Sequence, residues 1–100
     1  MLAWQNMRQP ARKPNPKPNM LIDATGLTCP LPVLRLQKAL RALAAASEVT
    51  LHATDKMAVI DVPHFCIDNG HDLLKTETQK GAGPGGMDLL LFYVRKRSAA

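Results

Sequence analysis

Aromatic residues are scarce: one Trp, one Tyr and two Phe make up 4% of the 100 residues. The core must therefore be built from Leu, Val, Ile, Met and Ala. Cysteine is scarce too. Two residues, Cys29 and Cys66, are too few for the disulfide scaffold of a small secreted domain. Long hydrophobic runs are missing. The longest strongly apolar stretch, residues 89–94, has the length of a strand and falls far short of the roughly 20 residues that span a bilayer. No apolar segment follows the basic residues near the N-terminus, so no secretory signal is read. These absences predict a cytoplasmic protein in a reducing setting, with no membrane partner.

Acidic residues are absent from positions 1–19, which hold Arg8, Arg12, Lys13 and Lys17, a charge of +4. The other nine Lys and Arg face eight Asp and Glu and leave only +1. The total of +5 therefore belongs mainly to the tail, which is a weak warrant for specific nucleic-acid binding. Pro10, Pro14, Pro16 and Pro18 are half of the eight prolines. Proline-rich, basic sequence buries too little surface to offset its ordering entropy. Residues 1–19 are expected to be a disordered tail, and residues 20–100 one domain. If Met20 is the natural start, the native protein lacks the tail, and its intact mass separates the two cases.

Within the domain, Met20-Leu-Ile-Asp-Ala24 suits a first strand, and Thr25-Gly26-Leu27-Thr28 turns the chain. A helix then begins at Cys29-Pro30. Val33, Leu36, Leu40 and Leu43 repeat on one face, and Arg35, Lys38 and Arg41 form a basic stripe on another. Residues 48–54 alternate, with Val49, Leu51 and Ala53 on one side. Pro63 is read as forbidding one continuous helix from 56 to 69. A turn at 56–60 and a helix capped by Asp61, with Pro63 in its first turn, is the expectation. Asn69-Gly70 ends that helix. Strands at about 72–80 and 87–96 follow, joined by the glycine-rich 81–86. The order β-α-β-α-β-β predicts a two-layer α/β sandwich: a four-stranded mixed sheet with two helices on one face.

Cys29 stands between a turn and Pro30-Leu-Pro32. Both prolines are tolerated at a helix start, where their missing amides would have no intrahelical acceptor. The helix opening then places Cys29 at or next to the N-cap, facing the positive end of the helix dipole. That effect is worth about 0.3–1 kcal/mol. It predicts an exposed, moderately nucleophilic thiol with its pKa below the free value near 8.5.

The other candidates have plainer readings. Cys66, within His64-Phe65-Cys66, is read as core filling, although a resolving role or a disulfide with Cys29 stays open. His64, Cys66 and His71 lack a zinc-site spacing and a fourth ligand, so no metal is expected. Gly81-Ala-Gly-Pro-Gly-Gly86 satisfies G-x-G-x-x-G, but a strand follows where a dinucleotide site needs a helix. It is read as a hairpin loop, with no cofactor. The Arg35, Lys38 and Arg41 stripe is either a solvated face or a docking edge for an acidic partner.

The stretch Leu21-Ile-Asp23-Ala-Thr-Gly26-Leu-Thr-Cys29-Pro30-Leu-Pro32-Val-Leu resembles the signature of the TusA/SirA family of sulfur carriers. That signature has Asp, then Gly, then Cys-Pro-x-Pro at the head of the first helix. Asp61-Val-Pro-His-Phe-Cys66 and Gly70-His-Asp-Leu-Leu look like the family's second half, so the likeness runs over residues 20–97. The resemblance implies that Cys29 takes a sulfane sulfur as a persulfide from a cysteine desulfurase or rhodanese-type donor. It then passes the sulfur to an acceptor protein, for example toward tRNA 2-thiouridine. Asp23, Gly26, Pro30 and Pro32 belong to the same motif. Such a protein is a sulfurtransferase-type carrier, not a stand-alone catalyst, and is expected to be a monomer that does not bind nucleic acid directly. The alternative is a regulatory or nucleic-acid-binding module that uses the basic tail and the helix stripe. A thiol redox or selenium-handling relative is a third reading, weakened by the lack of Cys-x-x-C.

Overall fold

The hydrophobic periodicities resolve into four strands and two α-helices in the computed structural model, which describes residues 19–97. In chain order these are β1 (Asn19–Ala24), α1 (Leu31–Arg41), β2 (Glu48–Ala53), α2 (Ala58–Asn69), β3 (Asp72–Gln79) and β4 (Leu89–Arg95). The strands lie side by side as β1-β2-β4-β3. β1 and β2 run parallel, as a helical crossover between them requires, and the other two pairs are antiparallel. The fold is the expected mixed sheet with two helices. The proposed tail at 1–19 lies outside the described residues, except that Asn19 already opens β1.

Strand alternation builds the core. Ile22, Leu51 and Phe92 sit in register across β1, β2 and β4, as do Ala24, Ala53 and Leu90 one pleat further on. All six are buried. The helices cover this face with Leu36 and Leu40 from α1 and Ala58, Val62, Phe65 and Cys66 from α2. Val33 packs at the margin of the core on the face its spacing marked out, and Leu43 joins it from just beyond the end of the helix.

α1 has Pro30 at its N-cap and Pro32 as its second residue, so the prolines do mark its start. The Cys29–Pro30 peptide bond is cis. The helix ends at Arg41, and the Lys96 ammonium donates to the Leu43 carbonyl just beyond it. Ala46, with φ of 68°, turns the chain toward β2.

α2 departs from expectation. It begins at Ala58, three residues before Asp61, and carries Pro63 in its interior. The turn leading into it is closed by Asp55. Its carboxylate accepts the Met57 N–H at 3.0 Å, and its carbonyl accepts the Ala58 N–H at 2.9 Å. An aspartate that closes a turn on the amide two residues ahead is a standard way to start a helix. Asp61 is therefore released from capping, and its side chain is free to point elsewhere. Gly70, with φ of 75°, ends the helix in the left-handed conformation that glycine favours.

The segment at 81–86 joins β3 to β4 through a short 3-10 turn, Pro84–Gly86, which is the hairpin-loop reading. Gly83 is needed for close approach: a Cβ there would lie 2.9 Å from the Met87 carbonyl oxygen.

Candidate functional site

The loop from β1 to α1 is held from both ends. Asp23 accepts hydrogen bonds from the Thr25 hydroxyl at 2.6 Å and the Thr25 amide at 3.0 Å, and these hold its carboxyl below the usual range. Gly26, with φ of 80°, donates its N–H to the Thr54 hydroxyl at 2.9 Å. A side chain at Gly26 would face open space, so it is the positive φ that calls for glycine. The Leu31 N–H then closes onto the Thr28 carbonyl at 2.8 Å and starts α1. Arg35 reaches back to donate to the Asp23 carbonyl at 3.0 Å, which ties the helix to β1.

Cys29 emerges exposed from this loop. Its N–H donates to Asp55 at 2.6 Å, and its Sγ donates to the Asp61 carboxylate at 2.5 Å. Asp55 thus holds the Cys29 amide with one oxygen and the start of α2 with the other. The Met57 and Cys29 amides together keep its carboxyl low. A cleft of about 280 Å³ opens beside Cys29, between the start of α1 and one face of α2. Pro30 and Val33 line it on the α1 side. Asp61, His64, Phe65, Asp68 and Asn69 line it on the α2 side. His64 pairs with Asp68 at 3.4 Å on the exposed rim.

The direction of the thiol's acidity corrects the expectation. The hydrogen bond to Asp61 pushes the Cys29 pKa up, helped by partial desolvation and by the charges of Asp61 and Asp55. The helix end offers about half a positive charge. A full negative charge in hydrogen-bond contact outweighs it, and the thiol form is favoured.

Cys66 is buried, and burial pushes its thiol up to about 11, as suits a core residue. Both cysteines are free. His71 lies at the far end of α2, where its Nδ1 accepts the Arg97 N–H at 3.0 Å. Among the described residues, no group of three or more His, Cys, Asp and Glu is arranged to hold a metal ion. The basic stripe does not enter the Cys29 cleft. Arg35 and Lys38 border a separate shallow groove with Leu27, Leu31 and Leu34, and Arg41 faces Gln37, Asn69 and Lys96.

Sequence reasoning missed Asp55 as a site residue and gave Asp61 a different task. One signal was present: Asp61, His64, Phe65, Asp68 and Asn69 recur at three and four residues, a single helical face.

The sequence model of the family described as Sulfurtransferase TusA matches residues 20–84. The chain belongs to the TusA family of sulfur carriers. The Sulfur carrier protein TusA of Pseudomonas entomophila is 39% identical over 77 residues, 77% of this chain and 88% of that protein. The TusA protein of Pseudomonas putida F1 is 37% identical over 81 residues, 81% of this chain and 92% of its own length. A crystal structure of a SirA-like protein from Desulfitobacterium hafniense shares the fold, with a TM-score of 0.59 at 24% identity. It covers 79% of this chain and 99% of that one. Membership in the TusA family implies dealings with sulfur-donor and sulfur-acceptor proteins. Among the described residues no helix is long and apolar enough to cross a membrane.

Proposed function

We propose that this TusA-family chain carries a sulfane sulfur as a persulfide on Cys29. The sulfur comes from the persulfide of a cysteine desulfurase or rhodanese-type protein and goes to an acceptor protein, in tRNA thiolation or another sulfur-transfer route. One observation carries the reading: Cys29 is exposed at the opening of α1 and borders a cleft, whereas the other cysteine is buried. Thiolate attack on a sulfur electrophile needs an accessible sulfur and room for the partner. It needs no metal and no nucleotide. Asp23, Gly26, Pro30 and Pro32 support the site by shaping the loop and the start of α1. Lys38, with Leu31 and Leu34 beside it, offers a docking edge on the outer side of α1.

The test is incubation with a cysteine desulfurase and cysteine, followed by intact mass. The wild type gains one sulfur atom, and Cys29→Ala gains none. Equal loading of Cys29→Ala rejects Cys29 as the carrier.

A further inference from the structure

The cleft beside Cys29 has a one-sided charge. α2 contributes the carboxylates of Asp61 and Asp68, the latter paired with His64 on the rim, and α1 contributes the uncharged Pro30 and Val33. From the loop before α2, Asp55 grips the Cys29 amide. Among the described residues, no lysine or arginine lines the cleft. Asp61 is the carboxylate in contact with the sulfur, at 2.5 Å.

We propose that Asp61 determines which sulfur donors Cys29 accepts: its carboxylate holds the sulfur as a thiol and turns away small anionic donors, leaving a docked protein persulfide as the productive one. The inference rests on the carrier reading above and narrows its donor class.

Two effects combine. The hydrogen bond and the charge of Asp61 keep the thiolate fraction low, so a freely diffusing electrophile meets little nucleophile. Small persulfides and polysulfides are acidic and anionic near neutral pH, so the same charge also repels them. A protein donor bound next to Cys29 overcomes the low thiolate fraction by proximity, since holding two reactants together replaces an encounter with an internal step. In that step Cys29 loses its proton to water, and its Sγ bonds to the outer sulfur of the donor persulfide. The bond between that sulfur and the donor's cysteine breaks. The electron pair leaves on the donor's cysteine, which takes up a proton. The oxidation that Cys29 acquires is lost by the donor, so no outside oxidant enters.

The test compares wild type, Asp61→Asn and Asp61→Glu, using alkylation by neutral iodoacetamide and anionic iodoacetate across pH. In Asp61→Asn the iodoacetamide profile moves to lower pH, and alkylation at neutral pH speeds up several-fold. Iodoacetate gains about fivefold more than iodoacetamide, the effect of one unit charge at about 4 Å in water. Asp61→Glu keeps the carboxylate and stays slow. Sulfur uptake from sodium polysulfide rises in Asp61→Asn, while uptake from the desulfurase does not rise with it.

Superimposable alkylation profiles for wild type and Asp61→Asn, or unchanged polysulfide uptake, overturn the proposal. The wild type alone gives a check that needs no folded variant. Added salt screens exposed carboxylates. It therefore raises the ratio of iodoacetate to iodoacetamide rates at Cys29 more steeply than at N-acetylcysteinamide, a thiol with no neighbouring carboxylate, and an equal slope overturns the proposal. Alkylation reads Cys29 without any sulfur donor. Failure of desulfurase loading beside the expected alkylation pattern therefore rejects the carrier reading and not the action of Asp61 on the thiol.

Discussion

At the scale of single residues, the site depends on two aspartates that reach Cys29 from across the chain. Asp55 satisfies the Cys29 and Met57 amides together. Asp55→Ala leaves both donors to water and opens the turn that leads into α2, so the variant is expected to be less stable than wild type. Urea denaturation measures it, and an unchanged midpoint contradicts the role of Asp55 in closing that turn. Cys66 gives a pH signature of its own. Its thiol is raised to about 11 in the folded chain, above the unfolded value near 8.5. The folded state therefore holds a proton that the unfolded chain releases. The resulting stability is complete below the unfolded pKa and drains away as pH climbs toward 11. In denaturant titrations across that window, wild type falls more steeply than Cys66→Ala; parallel curves reject the assignment. The exposed place of Cys29 at the opening of α1 was legible from its turn and its prolines. The direction of its acidity was not, because helix dipoles are visible in local sequence and a carboxylate 32 residues away is not.

At the scale of elements, two places carry a local cost that substitution relieves. Pro63 lies inside α2, where it lacks the N–H that would pair with the carbonyl four residues back. Pro63→Ala restores that donor and is expected to raise stability by about 1–3 kcal/mol, read from the urea midpoint. Ala46 sits at φ of 68°, a region that costs a non-glycine residue roughly 1–2 kcal/mol. Ala46→Gly removes that cost and gives back about 0.4–1 kcal/mol through the freer unfolded chain. The net is a gain of about 0.5–1 kcal/mol, and a lower melting temperature would falsify it. The start of α2 was misread for a related reason. Pro63 reads as a helix opener when local rules are applied alone, yet the turn closed by Asp55 starts the helix earlier and tertiary packing of Val62, Phe65 and Cys66 tolerates the missing bond.

At the scale of the whole molecule, a small core leaves little reserve. Leu51 is fully buried in β2, between Ile22 of β1 and Phe92 of β4. Leu51→Ala is expected to cost about 2–5 kcal/mol. Total stabilities run at about 5–15 kcal/mol, so the variant lies near the threshold of folding. Circular dichroism during thermal unfolding shows whether it does. The class and order of elements were readable because Val49, Leu51 and Ala53 alternate and Leu36 and Leu40 recur at helical spacing. The arrangement β1-β2-β4-β3 was not, since alternation marks an inward face and carries no record of the neighbouring strand.

The double grip of Asp55 has one further consequence. It fastens the cysteine loop to the head of α2, and the same helix bears Asp61. Sulfur and carboxylate are thereby anchored to the same helix end, so their separation is set by α2 and the turn leading into it, not by the stretch between β1 and α1 alone.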